Sequence, residues 1–230
     1  MDITAHALTK TYREQDGPVI GGAAGAGVDV SIPAGSFLAL MGRSGSGKST
    51  LLNLLAGIVR PDSGVVNYGD TGLWDLSDGR RSRLRATTTA TVFQEYNLFD
   101  FLSVQENIAL GIRMAGGHAS RDRIAEALSR VGMQDYLRSR PDELSGGQRQ
   151  RIAIARAVAV SPQVIFADEP TGALDEANGR VVVALLRELA ADGTSILMVT
   201  HDADVAAVTD RTLELRDGTI VNAMSAGDPA

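Results

Sequence analysis

The chain has 230 residues, of which 44% are hydrophobic and 22% charged, a composition typical of ordinary globular proteins. The length fits one large domain, or one domain with an inserted subdomain. The formal net charge of −6 argues against a general nucleic-acid binder, because phosphate contacts need a basic face. The absence of cysteine excludes disulfides, thiolate metal sites and cysteine nucleophiles, and it is consistent with a reducing cytoplasm.

No apolar run approaches the roughly 18 residues that a membrane-spanning helix needs. The N-terminal sequence MDITAHALTKTYRE lacks the basic and apolar regions of a signal peptide. We therefore expect any membrane role to come through a separate partner.

In chain order, short strands and turns are predicted up to residue 41, including a loop at residues 21–27 (GGAAGAG) and a buried strand at 37–41. Leucines at helical spacing follow Lys48 and predict a helix that ends before residue 61. Residues 94–160 are predicted to be mostly helical. A strand at 164–167, a helix at 181–191, a strand at 195–200 and a hairpin around residues 217–218 follow. Strands that alternate with helices predict an α/β fold with a parallel sheet.

Residues 42–49 (GRSGSGKS) match the phosphate-loop pattern G-x-x-x-x-G-K-[ST], between a predicted strand and a predicted helix. Glycines allow backbone N–H groups to surround a polyphosphate, and the helix N-terminus adds partial positive charge. Lys48 is placed to reach the β- and γ-phosphates and Ser49 to ligate Mg²⁺, while Thr50 can reach the α-phosphate side. A chance glycine turn is the alternative. The candidate nucleotide contacts here are Gly42, Arg43, Ser44, Gly45, Ser46, Gly47, Lys48, Ser49 and Thr50.

Two acidic residues end the apolar strand that precedes residue 170. Because adjacent strand residues point to opposite sides, the two carboxylates can do different work. Asp168 suits a contact to Mg²⁺, and Glu169 would polarise the attacking water as a general base. His201 follows the next apolar strand at the same sheet edge, where it can donate to the γ-phosphate. A solvated strand end is the alternative for the acids, and a structural role is preferred for the other two histidines.

Residues 144–151 (LSGGQRQR) form a glycine turn that enters a helix, which alone is another possible anion site. This segment closely resembles the signature motif of ABC ATPases, and the resemblance extends from about residue 3 to 221. It implies a P-loop NTPase fold: an ABC-type ATPase domain with a RecA-like core, an antiparallel β subdomain and an inserted helical subdomain. The implied domain covers residues 1–222, with the helical subdomain at about 97–160 and a C-terminal tail at 223–230 that is expected to fray.

The resemblance implies further roles. Tyr12 resembles the aromatic residue that stacks on adenine, with a packed strand tyrosine as the alternative. Gln94 resembles the loop glutamine that senses Mg²⁺ and couples to a membrane partner, and His201 the switch histidine. Asp175 resembles an acid that crosses a dimer interface. Ser145, Gly146, Gly147 and Gln148 would bind the γ-phosphate held by a second copy of the chain.

The resemblance therefore implies an ATP-sandwich dimer of two head-to-tail copies that opens after hydrolysis. Glu169 is not an amide, so both sites are expected to be competent. Residues 168–175 (DEPTGALD) and 140–145 (RPDELS) look most like the ATPases of lipoprotein-release, macrolide-export and antimicrobial-peptide-resistance systems. This resemblance implies that the protein is peripheral on the cytoplasmic face of the cell membrane, which it contacts only through integral permease subunits. Leu98, Phe99, Phe101 and Leu102 could form a socket for a coupling helix of such a permease, with a solvated helical surface as the alternative.

Three other functions are alternatives to that of an energy-coupling transporter subunit. Soluble ABC proteins that act on ribosomes resemble two such domains in tandem. DNA-maintenance ATPase heads contain a long inserted coiled coil, for which residues 48–144 leave no room. A regulatory ATPase of the cell envelope, without cargo, would share every motif and stays open.

Overall fold

A computed structural model describes residues 1–13, 17–22 and 26–225 of the chain. The strands of this part are β1 (Ile3–Thr9), β2 (Val28–Ile32), β3 (Phe37–Met41), β4 (Ser63–Tyr68), β5 (Thr71–Gly72), β6 (Thr89–Phe93), β7 (Val164–Asp168), β8 (Ser195–Val199), β9 (Arg211–Arg216) and β10 (Thr219–Ser225). The α-helices are α1 (Lys48–Leu55), α2 (Asp78–Thr88), α3 (Val104–Met114), α4 (Arg121–Arg130), α5 (Gly146–Val158), α6 (Glu176–Ala191) and α7 (Ala203–Ala206).

A six-stranded sheet in the order β10-β9-β3-β8-β7-β6 forms the centre of the molecule. Five of these strands run parallel to one another, namely β6, β7, β8, β3 and β9. Strand β10 pairs antiparallel with β9 at the edge. All five residues of β8 are buried, as are the first four of β3 and of β7. Such continuous burial is typical of parallel strands that are covered on both faces. The predicted α/β fold with a parallel sheet is thus confirmed.

A second, antiparallel sheet has the order β2-β1-β4-β5. In β2, buried and exposed residues alternate, as expected for a strand with one face on the core. The hydroxyl of Tyr68 in β4 donates to the Leu55 carbonyl 2.8 Å away, at the end of α1, and burial raises the pKa of this phenol. The antiparallel sheet is therefore fixed against the helix that follows the phosphate loop.

Three of the helices, α3, α4 and α5, lie between β6 and β7 in the sequence, within the segment predicted to be helical. Ser103 caps α3 in a capping box with Glu106, and Ser120 caps α4. An ion pair between Arg130 at the end of α4 and Asp192 at the end of α6 links these helices to the core.

Several predicted boundaries differ from the structure. Helix α6 begins at Glu176 rather than residue 181, because Asp175 caps it with its side chain. Strand β10 continues to Ser225, so the first three residues of the predicted tail pair with β9. Residues 226–230 of that tail and residues 23–25 of the predicted 21–27 loop lie outside the described residues.

Candidate functional site

The phosphate loop joins the end of β3 to the start of α1. Its backbone requires glycine at two positions. Gly42 has φ 154°, and a Cβ atom there would lie 2.2 Å from the Leu215 carbonyl oxygen of β9. Gly47, with φ 102°, occupies the left-handed position before α1, where a Cβ would lie 2.8 Å from the Val19 oxygen. A side chain at either position would displace the loop from its neighbours.

The ammonium group of Lys48 lies inside this loop. Its Nζ donates to the carbonyl oxygens of Gly42 at 2.9 Å and Arg43 at 3.0 Å, and the residue is 7% exposed. The hydroxyl oxygen of Ser46 is buried and has no hydrogen-bond partner among the described residues. A buried cation and an unpartnered buried hydroxyl in one glycine-rich loop fit an anionic group such as a phosphate.

Ser49 and Asp168 connect the phosphate loop to the end of β7. The Ser49 hydroxyl donates to Oδ1 of Asp168 over 3.2 Å. Burial raises the pKa of Asp168, and the charge of Glu169 acts in the same direction, while the bond from Ser49 and the charge of Lys48 oppose the shift. A hydroxyl and a carboxylate at this separation are the oxygen ligands that Mg²⁺ prefers.

Glu169 lies one residue beyond β7 in a left-handed conformation, with φ 45°. Its N–H donates to the Val199 oxygen at the end of β8, so the side-chain direction is set by this turn. Strand β7 ends at Asp168, so Glu169 lies outside the strand and the alternation of strand residues does not set the direction of its side chain. Its Oε2 lies 3.4 Å from Nδ1 of His201, whose side chain is 68% exposed.

Gln94 reaches the same group of side chains from β6. A Cβ atom on Gly172 would lie 3.1 Å from Nε2 of Gln94 and 3.3 Å from Oε2 of Glu169. Both side chains therefore lie against Gly172, where a Cβ atom would require them to shift by a few tenths of an ångström. The structure thus brings together Lys48, Ser49, Gln94, Asp168, Glu169 and His201 at the carboxyl ends of β3, β6, β7 and β8, where ligands bind in open parallel sheets.

The signature residues form the capped start of α5. Ser145 accepts from the backbone N–H of Gln148, and its own N–H donates to Oε1 of Gln148 at 2.8 Å. Nε2 of Gln148 donates to the Tyr136 hydroxyl at 2.9 Å. A Cβ atom on Gly147 would lie 2.3 Å from Oδ1 of Asn178, so α5 begins in direct contact with α6. Among the described residues, no hydrogen bond or ion pair joins residues 145–148 to the phosphate loop.

Asp175 is the N-cap of α6. It accepts from the backbone and the side-chain amide of Asn178, both at 2.8 Å, and these bonds lower the pKa of its carboxyl group. Sequence reasoning missed this capping role and missed Asn178 altogether. Asp immediately before a helix is a strong cap signal. A predicted start at residue 176 instead of 181 would therefore have revealed Asp175 as the cap and Asn178 as its partner.

Tyr12 lies in the loop that leaves β1 and returns through a bridge between Lys10 and Ile20. Its ring is 58% exposed, and Nζ of Lys10 lies 5.7 Å from the ring centroid. The structure therefore does not support the alternative of a packed strand tyrosine. The returning segment reaches Gly47 through Val19, so this loop adjoins the start of α1.

Comparison with known proteins decides the family. A family model described as "ABC transporter" matches residues 26–172, which is more than half of the chain. The chain belongs to the ABC transporter family. The match is to the ABC ATPase domain of that family, as the sequence predicted.

Curated relatives include export proteins. This ABC domain is 44% identical over 197 residues to the macrolide export ATP-binding/permease protein MacB of Nitrosomonas europaea, covering 85% of the chain and 30% of that protein. It is 45% identical over 198 residues to the pyoverdine export ATP-binding/permease protein PvdT of Pseudomonas aeruginosa, with 85% and 30% covered. The chain thus spans about a third or less of these relatives. The uncharacterized ABC transporter ATP-binding protein YvrO of Bacillus subtilis is 39% identical over 223 residues, with 95% of each chain covered.

Solved structures confirm the ABC ATPase fold. The dimeric bacterial ABC transporter cassette MJ0796 superposes with a TM-score of 0.88 at 34% identity, covering 99% of this chain and 100% of that one. The same cassette in a dimeric post-hydrolysis state bound to ADP and Pi gives a TM-score of 0.87 at 33% identity, with the same coverage. In the described part of the ABC domain, no helix is both long and apolar enough to cross a membrane.

Proposed function

We propose that this ABC ATPase is the energy-coupling subunit of a membrane transport or force-transmitting system. It would bind ATP and Mg²⁺, form a head-to-tail dimer with a second copy, and drive an integral permease. The observation that carries this proposal is the separation of two half-sites. The Ser49 hydroxyl of the phosphate loop donates to Asp168, which precedes Glu169, whereas no hydrogen bond in the described part of the chain joins residues 145–148 to that loop.

Head-to-tail pairing would unite these half-sites, because each copy would present its signature helix to the phosphate loop of the other. The capped start of α5 would supply Ser145 and backbone N–H groups to the γ-phosphate. Asp175, next to this start through Asn178, would lie at the interface. The dimeric state of MJ0796 supports this arrangement.

Within one half-site, the side chains would divide the work. Lys48 would exchange its two carbonyl contacts for phosphate oxygens, and Tyr12 would stack on the adenine ring. The phosphate loop from Gly42 to Thr50 would surround the phosphates. Ser49, Asp168 and Gln94 would hold Mg²⁺, which when bound neutralises developing negative charge on the phosphates.

Glu169 would accept the proton of the attacking water, since its carboxylate lies at the same sheet edge as Asp168 and Lys48. His201, 3.4 Å from that carboxylate, would hold its orientation and donate to the γ-phosphate. Loss of the γ-phosphate would remove the contacts that join the two copies, and the dimer would open. Such opening is the movement that a permease could use.

The names of MacB and PvdT support an export function, and the 95% coverage of YvrO, which is named an ABC transporter ATP-binding protein, supports the role of an ATP-binding subunit. In this proposal the protein acts at the cytoplasmic face of the membrane, which it contacts only through the permease.

The test uses Glu169→Gln, with Glu126→Gln on the exposed face of α4 as a matched control. Loss of a general base is expected to reduce phosphate release about 10²- to 10⁴-fold and leave ATP binding intact. Light scattering should then show a dimer that depends on ATP and Mg²⁺. Unchanged phosphate release, or a monomer at saturating ATP, would contradict the proposal.

The Glu169→Gln variant, tagged and held with ATP and Mg²⁺, also identifies the membrane partner. Purification from detergent-solubilised native membranes should recover an integral membrane protein. Its membrane spans and its extracytoplasmic part would separate an exporter from a cargo-free regulatory system. Recovery of ribosomes without a membrane protein would overturn the transporter proposal.

A further inference from the structure

The segment after β6, residues 94–97, is attached to the signature helix at two places. We call this segment the glutamine loop. At the first attachment, Arg156 in α5 donates from Nη2 to the Tyr96 carbonyl oxygen at 3.0 Å and from Nη1 to the Asn97 carbonyl oxygen. Two donors of one planar guanidinium therefore hold two consecutive carbonyls, a geometry for which lysine cannot substitute fully.

The second attachment lies at the start of the same helix. The Tyr96 hydroxyl would be 2.9 Å from a Cβ atom on Gly146, the residue next to Ser145. Gly146 and Arg156 are ten residues apart, or about 15 Å along the helix axis. The glutamine loop is thus held against both the first and the last turn of α5.

The backbone of the loop depends on these outside contacts. Tyr96 has φ 62° and Asn97 has φ 50°, so two consecutive residues with side chains adopt the left-handed conformation. Such residues persist only where the surroundings hold them. Helix α3 makes room for the arginine at Gly111, where a Cβ would lie 2.9 Å from Cγ of Arg156.

The other end of the loop lies in the nucleotide half-site. Gln94 lies against Gly172 beside Glu169, as described above. A displacement of Gln94 would therefore be transmitted to Ser145 through a short, doubly fixed segment rather than through a flexible connection.

We propose that Arg156 is a positioning residue that couples the glutamine loop to the signature helix, so that nucleotide binding in one half-site orients the signature offered to a second copy. The part that concerns the second copy rests on the proposed function. The part that concerns coupling within one chain does not.

The first test measures coupling in the monomer, at protein concentrations too low for dimerisation. Hydrogen exchange at the amides of residues 146–151 is followed before and after ATP addition in the wild type, Arg156→Lys and Arg156→Met. We expect ATP to slow exchange in the wild type, less in the lysine variant and not in the methionine variant. Unaltered exchange in the wild type, or an equal ATP effect in all three, would overturn the proposal.

Arg123→Lys is the matched control. Arg123 in α4 donates from Nε to the Ala159 carbonyl oxygen at 2.7 Å, so it also ties a helix to a backbone oxygen but does not touch the glutamine loop. This variant should keep the full ATP effect on exchange. A loss equal to that of Arg156→Lys would show a general structural effect and contradict the assignment. In the Arg156→Met variant, methionine keeps an apolar stem like that of arginine, so an effect of this variant does not arise from lost packing.

The second test places the variants in the Glu169→Gln background. Affinity of the monomer for a fluorescent ATP analogue should stay unchanged, while ATP-dependent dimerisation should weaken about 2- to 30-fold, the range of typical coupling. If the Glu169→Gln protein dimerises with ATP and the added Arg156 substitutions leave its dimerisation unchanged, the proposal is overturned. A Glu169→Gln protein that fails to dimerise would contradict the proposed function, and the exchange experiment would still decide the role of Arg156.

Discussion

The Ser49 hydroxyl donates a 3.2 Å hydrogen bond to Oδ1 of Asp168, joining the first turn of α1 to the end of β7. The carboxyl group of Asp168 is partly buried and adjoins the charge of Glu169, and both raise its pKa. In the absence of a cation, the ionised form of Asp168 therefore destabilises the folded protein. A bound divalent cation would remove that cost.

We expect Asp168→Asn to stabilise the nucleotide-free protein and to abolish the additional stabilisation by Mg²⁺ and ATP. The amide keeps the shape and can still accept from Ser49, but it carries no charge to bury or to offer to Mg²⁺. Thermal unfolding with and without ATP and Mg²⁺ measures both effects. A lower melting temperature of the nucleotide-free variant would contradict the cost assigned to the charge.

The same comparison has a predicted pH dependence. The pKa of Asp168 in the folded protein lies above its ordinary value of 3.8. At a pH between that ordinary value and the folded pKa, the native state therefore binds more protons than the unfolded state. Its contribution to stability therefore falls as the pH rises through this interval. The difference in unfolding free energy between Asp168→Asn and the wild type should grow with pH and level off above the folded pKa.

The sequence predicted the parallel sheet and the phosphate-loop group because these depend on local pattern. Continuous apolar strands and the glycine spacing around Lys48 determine the sheet edge without reference to distant residues. The cluster of Lys48, Asp168 and His201 follows from the parallel topology alone.

Contacts between segments far apart in sequence could not be predicted in this way. Glu169 is oriented by its left-handed turn and by a bond to Val199, which a single strand pattern does not encode. Arg156 appears in the sequence as an ordinary helical residue, and Asn178 lies before the predicted helix start at residue 181. The carbonyl partners of Arg156, at residues 96 and 97, are defined only by the folded backbone. Asp175, the partner of Asn178, was missed because the predicted helix began too late, not because the contact is distant in sequence.

Tyr12 tests the adenine contact. Base stacking on an aromatic ring contributes about 1–3 kcal/mol, so Tyr12→Ala should raise the Kd for ATP by roughly 5- to 150-fold. Tyr12→Phe keeps the ring and should bind ATP like the wild type. Because the ring is 58% exposed, neither variant should change the melting temperature of the nucleotide-free protein. Equal Kd values for the alanine variant and the wild type would exclude stacking.

Gly147→Ala tests the contact between the signature turn and α6. Its Cβ would lie 2.3 Å from Oδ1 of Asn178, and overpacking of this kind typically costs about 1–3 kcal/mol. We expect reduced stability and loss of ATP-dependent dimerisation in the Glu169→Gln background, with normal ATP binding to the monomer. Gly79→Ala in α2 is the control, since no atom in the described part of the chain lies within 4 Å of its Cβ position. Dimerisation equal to that control would show that α5 does not need this contact.

The exposed ring pair of Phe99 and Phe101 tests the surface proposed to receive a permease. The rings are 43% and 74% exposed and meet edge to face with centroids 5.7 Å apart. The buried side chain of Asn107 fixes their loop by accepting from the Phe99 N–H at 2.9 Å and donating to the Phe99 oxygen at 3.1 Å. An exposed aromatic pair on a fixed loop is an arrangement typical of a binding surface.

Replacing Phe99 and Phe101 with alanine should therefore reduce the amount of membrane partner that copurifies with the ATP-bound Glu169→Gln protein. Soluble ATP hydrolysis in the otherwise wild-type chain should persist, because Asn107 still holds the loop. Val65→Ala, a change at an apolar residue of β4 that is 50% exposed, serves as the control and should leave recovery intact. Full recovery with the double alanine variant would locate the partner surface elsewhere, whereas loss of soluble hydrolysis would mean that the rings support the nucleotide site itself.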